Sequence, residues 1–370
     1  MIRSITLQNF KSFGESQTVP LEPITVLVGP NNSGKSSFMS VGRFMANAVL
    51  SGVGEAMDQE GGASFAFHRP AWNDGVLELK WESDQGRYQL NLDRDETGPH
   101  VAFERLSNPR EGTSFERMED GDLQFWRNGD LDGQRDLDLT RLGLSEALPQ
   151  KDFEPIWAPL VRSRMVKLST QALRADSEVI PSPRLAQDGA GMASVLGLWR
   201  GSQPEKCEEL ETFLRKCLPE VRNALVRPAP VPGYQRLWIR QTDGEEFDAE
   251  HLSDGVLSFI ALTMHAIDAG PGQLLFIEEP EHSIHPRRLH ELVDLLRELV
   301  AAKGCQFLIA THSPVLLNSF RDEPEAILLF RRSETGTKVK RLEDVAELKA
   351  ALQSSPPGDM LEHGFFNQAF

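Results

Sequence analysis

The segment ITVLVGPNNSGKSSF, starting at Ile24, narrows the possible folds more than any other part of this chain. Ile24 to Val28 is a short, β-branched, continuously apolar run, the pattern of a strand buried on both faces of a sheet. It runs directly into Gly29, and from Lys35 onward the apolar period changes: Phe38, Val41, Met45 and Val49 recur at three- and four-residue spacing, the inner face of a helix. Strand, loop, helix is the setting in which Gly29-Pro30-Asn31-Asn32-Ser33-Gly34-Lys35-Ser36, a complete GxxxxGK[ST] string, acquires physical meaning. Its glycines let the backbone wrap closely around a polyphosphate, so that several N–H groups point inward, and the helix adds its positive end. In that geometry Lys35 reaches the β- and γ-phosphates and the Ser36 hydroxyl ligates Mg²⁺, with Ser37 beside them at the helix start. ATP and Mg²⁺ are the expected ligands.

Three further clusters accompany the loop. Leu274 to Ile277 is a second apolar strand, and it ends in Glu278-Glu279-Pro280. Open parallel sheets bind ligands outside the carboxyl ends of their strands, so these carboxylates face the same crevice. Glu278 is expected to hold the metal through its water, and Glu279 to orient or deprotonate the attacking water. Two adjacent Glu could alone be a solvated turn; the phosphate loop decides for the crevice. Gln306 to Thr311 is a third buried strand and delivers His312, placed to contact the γ-phosphate or the hydrolytic water. Leu252-Ser253-Asp254-Gly255 precedes the apolar run Val256 to Met264. Ser253, Asp254 and Gly255 are there a second anion site or a plain helix N-cap.

Elsewhere the pattern is coarser. Ser51 to Pro70 reads as an irregular segment, three alternating stretches from Leu77 to Phe103 as an antiparallel meander, and Ser107 to Asp138 as exposed polar connections. Ala190 to Val226 has helical spacing broken at Pro204 and Pro219, and Tyr234 to Gln241 looks like a strand. After Leu274 strands and helices alternate, which implies parallel pairing; Pro286 opens a helix with inner face Leu289, Val293, Leu296 and Val300, and Gly304 closes it. The 370 residues exceed what one core usually supports, so a main domain with insertions or a second lobe is expected. The boundaries expected are 1–75 and 234–370 for the two parts of an ATP-binding core, 76–150 for a β lobe and 151–233 for a helical insertion. A net charge of −16 argues against a surface that coats nucleic acid everywhere, although a local groove for DNA remains open. Three cysteines without a CxxC pair, and no apolar stretch long enough to span a bilayer, lead to the expectation of a cytoplasmic protein with no membrane partner.

Phosphate loop, LSDG, LLFIEEPE and THSP in this order resemble an ABC-type ATPase, and the opening LQNFKSF before the loop resembles the RecF and SMC branch, with Glu278 to Pro286 similar to compact AAA-type ATPases grouped with RecF and OLD. The resemblance implies an α/β P-loop NTPase with an antiparallel β lobe and a helical insertion. It implies a head-to-tail homodimer on ATP, in which Ser253 and Gly255 of one protomer touch the γ-phosphate held by the other, with Glu279 as base and His312 as switch histidine. A separate effector protein, such as a nuclease, and DNA are its implied partners, in repair or antiphage defence. Gln171 is a candidate for the family's glutamine between lobes. With 370 − 312 = 58 residues after His312, no Toprim nuclease domain is expected. Two other readings stay open: an ATP-gated scaffold with little hydrolysis, and a small-molecule kinase.

Overall fold

The computed structural model describes residues 1–71, 75–117, 119–282 and 284–370. Its N-terminal part runs β1 (Ile2–Gln8), β2 (Gln17–Pro20), β3 (Ile24–Val28), α1 (Lys35–Ser51), β4 (Leu77–Ser83), β5 (Arg87–Asp95), β6 (Gly98–Asn108), β7 (Thr113–Arg117), β8 (Asp122–Arg127) and β9 (Asp130–Asp136). Then follow β10 (Arg164–Val166), α2 (Thr170–Arg174), β11 (Ser177–Glu178), α3 (Met192–Ser202), α4 (Pro204–Cys217), β12 (Val221–Pro228), β13 (Tyr234–Gln241) and β14 (Glu246–Asp248). The last part is α5 (Asp254–Ile267), β15 (Leu274–Glu278), α6 (Pro286–Lys303), β16 (Gln306–Ala310), β17 (Ile327–Ser333) and β18 (Gly336–Arg341).

A six-stranded sheet in the order β10-β15-β16-β3-β17-β18 carries the site. It is parallel except for the terminal β17–β18 hairpin. Its central strands are largely apolar because both faces are covered, and their two-residue period divides two cores. Val26, Val28, Leu275, Ile277, Phe307 and Ile309 pack towards α5 and α6, whereas Leu27, Leu274, Phe276 and Leu308 pack towards α1 and the β lobe. Phe38, Val41, Met45 and Val49 of α1 are buried as their spacing requires, as are Leu289, Val293 and Leu296 of α6, while Val300 is half-buried. Gly304 ends α6 in the left-handed conformation.

The meander expected from Leu77 onward is β4 to β6, within an antiparallel eight-stranded sheet of order β2-β1-β4-β5-β6-β7-β8-β9. Its extension corrects the reading of Ser107 to Asp138 as loops. Thr113, Phe115 and Arg117, then Leu123 and Phe125, alternate inward on β7 and β8, and only β9 is exposed along most of its length. The inward Arg117 hid the alternation, because it is buried beside Glu104. A second correction concerns Val221 to Leu225, which continue not as helix but as β12: Pro219 ends the helical spacing, and Val221 and Ala224 pack inward while β12 pairs with β13. The third is Ser51 to Pro70, which contains short helices at Val53–Gln59 and Ala63–Ala66; Gly52, Gly61 and Gly62, all at positive φ, break the helical run.

Candidate active site

The carboxyl ends of β3, β15 and β16 lie side by side, in parallel register with Ile277 opposite Ile309 and Ile309 opposite Val26. Each strand therefore delivers its next residues to one edge. β3 delivers Gly29 to Ser36, β15 delivers Glu278 and Glu279, and β16 delivers Thr311 and His312.

The phosphate loop is held from behind by sequence that is distant in the chain. The Thr337 hydroxyl on β18 donates to the Ser33 carbonyl, 3.1 Å, and lies 2.8 Å from the Ser12 hydroxyl; the Thr337 N–H donates to the Ser12 carbonyl, 2.7 Å. A Cβ on Gly34, at φ +107, would sit 2.1 Å from Thr337 Oγ1, and a Cβ on Gly29 would sit 2.2 Å from the Phe330 carbonyl. Glycine is required at Gly34 both by conformation and by the close approach. Pro30, Asn31 and Asn32 are exposed at the rim, with Asn32 left-handed at φ 64, while Ser33 is buried and its hydroxyl has no hydrogen-bond partner among the described residues. Ser36 is exposed and Ser37 half-buried at the first turn of α1.

Lys35 Nζ donates to the carbonyls of Gly29 at 2.6 Å and Pro30 at 3.1 Å, and lies 3.3 Å from His312 Nε2. Burial holds its ammonium below the ordinary lysine range, against the opposing charges of Glu279, Glu278 and Glu281. Burial, and secondarily the Lys35 charge, likewise lowers His312, against the opposing charges of Glu279 and Glu281, which favours its neutral imidazole. The His312 backbone N–H donates to Glu281 Oε1 at 2.6 Å, and the buried Glu281 Oε2 has no partner among the described residues. Glu279 stands at φ 49, a left-handed backbone uncommon for a side chain of its size, with its N–H donating to the Ala310 carbonyl at 2.8 Å. Its carboxylate lies 3.2 Å from His282 Nδ1 and 3.8 Å from His312 Nε2. Glu278 Oε1 accepts from the Ser36 hydroxyl at 3.1 Å, and Glu278 Oε2 pairs with Lys167 Nζ at 2.8 Å.

These residues fit a magnesium nucleotide. A hydroxyl and a carboxylate in contact are hard oxygen donors of the kind Mg²⁺ takes, and the buried Ser33 hydroxyl, without a partner among the described residues, leaves a donor in the loop for a phosphate oxygen.

Ser253 to Gly255 are elsewhere. Ser253 and Asp254 are exposed, Gly255 half-buried. The Ser253 hydroxyl caps α5 by accepting from the Val256 N–H at 3.3 Å, and Asp254 pairs with Arg174. Among the described residues no hydrogen bond or ion pair joins this turn to the phosphate loop of the same chain. Arg174 also donates to the carbonyls of Ala249, Glu250 and Leu252 at 2.7 to 2.9 Å, so the turn is braced from α2. Gln171 lies on that short helix, exposed, with no hydrogen bond to the nucleotide-site residues among those described.

Reasoning from residue types passed over Lys167, Arg174 and the individual role of Glu281. The last stood in plain view in EEPE; the other two lie in a stretch with no periodic signal.

No curated protein matches the chain in sequence. Among solved structures it is similar to an Smc head bound to the C-terminal winged-helix domain of ScpA, with a TM-score of 0.55 and 15% identity, covering 93% of this chain and 99% of that one. An Smc head with an extended coiled coil, bound to the C-terminal domain of ScpA derived from Pyrococcus furiosus, matches at TM-score 0.52 and 13% identity, over 95% and 99%. The fold is thus that of an SMC-like ATPase head. The family model described as AAA domain, putative AbiEii toxin, Type IV TA system spans residues 24–318, which hold every element of the site, and the chain belongs to that family of nucleotide-binding AAA ATPases.

Proposed function

We propose that the chain hydrolyses ATP between two head-to-tail copies of itself and passes the resulting opening and closing to a partner effector or to DNA. The observation that carries this reading is a division of the site. Lys35 lies 3.3 Å from His312, His312 lies 3.8 Å from Glu279, and Glu278 accepts from Ser36 beside Lys35, whereas Ser253 and Asp254 face solvent and, among the described residues, form no hydrogen bond or ion pair with their own phosphate loop. A second copy would supply the missing cap, with the Ser253 hydroxyl and the first N–H groups of α5 directed at the γ-phosphate.

Ser36 and Glu278 would hold Mg²⁺, which when bound neutralises charge on the β- and γ-phosphates. Lys35 leaves the carbonyls of Gly29 and Pro30 and binds the phosphates in their place. Glu279 accepts the proton of the attacking water at its carboxylate, and neutral His312 donates to or accepts from the same water or the γ-phosphate. The left-handed backbone at Glu279 aims its carboxylate back across the site towards His312.

Glu279→Gln removes the proton acceptor without changing shape. Its turnover is expected to fall at least about 100-fold while ATP binding persists, and the dimer should accumulate with ATP in size-exclusion light scattering. Turnover at the original rate would remove Glu279 from its role, and a monomer at every ATP concentration would remove the sandwich. A scaffold reading is favoured by one observation, that both oxygens of Glu278 are engaged by Ser36 and Lys167. It expects ATP-driven dimers with turnover unaffected by any partner. The Smc heads solved with ScpA domains support a head of this fold working with a second protein, and the toxin–antitoxin description of the family supports a defence setting.

A further inference from the structure

Lys167 is placed against Glu278 by the sheet. Val166 of β10 is the parallel partner of Ile277 of β15, so the next residue on each strand, Lys167 and Glu278, stand side by side. The Lys167 N–H donates to the Gln187 carbonyl at 2.8 Å, which fixes the strand exit. Beyond that anchor only the ammonium is engaged: the side chain is 67% exposed, whereas that of Glu278 is 15% exposed. Glu278, Glu279 and Glu281 meet in one small volume, and like charges there repel. Lys35 is turned towards the loop carbonyls and His312, and Glu279 faces His282 and His312. Among the described residues Lys167 is the cation that pairs with Glu278, and it does so at the carboxylate a divalent ion would need.

We propose that Lys167 is a tethered counter-ion for Glu278 that competes with the metal of an incoming Mg²⁺–nucleotide, and so a positioning residue that sets how much metal the site requires. The proposal rests on the ATPase reading. An ammonium 2.8 Å from Glu278 Oε2 and a divalent cation on the same carboxylate repel each other and compete for its charge. Displacement is easy because the exposed stem can swing into water, where the ammonium is well solvated. With the carboxylate neutralised beforehand, the empty site escapes the repulsion of three adjacent glutamates, and metal enters by exchange.

The test titrates MgCl₂ into the full-length protein with mant-ATP and reads fluorescence, for wild type, Lys167→Met and Lys167→Arg. The Mg²⁺ midpoint for nucleotide binding is expected to fall about fivefold in Lys167→Met, the factor an ion pair of this exposure is worth, and to return to the wild-type value in Lys167→Arg. Circular dichroism and melting temperature should match wild type, because the side chain is largely in solvent. An unchanged or raised midpoint in Lys167→Met overturns the proposal while leaving the ATPase reading intact. Absence of mant-ATP binding by wild type at any Mg²⁺ concentration overturns both.

Discussion

Lys35 combines two roles that conflict until a nucleotide arrives. Its ammonium is buried and satisfied by two carbonyls of its own loop, so the empty loop is stable, yet those bonds are given up when phosphate oxygens replace them. Lys35→Met is expected to weaken mant-ATP binding more than tenfold, measured by fluorescence titration, with little loss of melting temperature, because removing the ammonium also removes its desolvation cost. His265 on α5 is a different residue-scale case. It is almost wholly buried, among the described residues no partner meets its ring nitrogens at full hydrogen-bond geometry, and burial, only partly opposed by the Ala186 backbone, pushes its pKa down to about 4. The folded chain therefore holds it neutral while the unfolded chain protonates it below about 6.5. Its contribution is complete above pH 6.5 and is lost as the pH falls towards 4, on the order of 3 kcal/mol over that window. Urea denaturation at pH 7 and pH 4.5 should show His265→Phe losing less stability between the two than wild type. The reactive residues were legible at this scale because strand-end chemistry is carried in short strings: GPNNSGKS, EEP and THS each sit one step beyond an apolar run. Lys167 was not, since an exposed lysine after a three-residue strand looks like any surface lysine, and the register that sets it beside Glu278 is a tertiary fact.

The turn before α5 depends on its neighbours more than on its own sequence. Four hydrogen bonds and ion contacts from Arg174 fix the backbone from Ala249 to Asp254, and they leave the Ser253 side chain and the helix start facing outward. Arg174→Ala is expected to raise the protein concentration needed for ATP-dependent dimerisation about tenfold in analytical ultracentrifugation, with mant-ATP binding by the monomer unchanged. At the phosphate loop the constraint is steric. Gly34→Ala forces a Cβ into Thr337 and holds an unfavourable φ, so the loop and the β17–β18 hairpin must separate, and nucleotide binding should fall by more than tenfold in the same titration. Elements with apolar periodicity, such as β3, β15, β16 and α6, were readable in advance. β7 was hidden because its inward positions include Arg117, a charged side chain where periodicity expects an apolar one. β12 was hidden because Val221 to Leu225 satisfies helical and strand spacing about equally, and pairing with β13 decided it.

The described residues form three sheets, of which the eight-stranded and the six-stranded one share the helix α1, and the eight-stranded β lobe contains a charged centre. Glu104, fully buried, accepts from the Tyr88 hydroxyl at 2.7 Å and the Leu144 N–H at 2.9 Å, while Arg117 donates to the carbonyls of Leu137, Asp138 and Arg141. Breaking such a buried set by removing one partner typically costs about 3–5 kcal/mol, so Glu104→Ala should lower the denaturation midpoint sharply by chemical unfolding, although it lies far from Lys35 in the sequence. Gln306, with no exposed surface, links the sheets: its amide oxygen accepts the Ile2 N–H at 3.1 Å, and its nitrogen donates to the Ile2 and Glu22 carbonyls at 2.9 and 3.0 Å. One amide thus serves as a rivet between the first strand of one lobe and an inner strand of the other, and either lobe melting alone would break both of its bonds to Ile2. Heat should accordingly dismantle both lobes in a single calorimetric peak, and a force or torque applied at the β lobe would reach the catalytic edge with little slack.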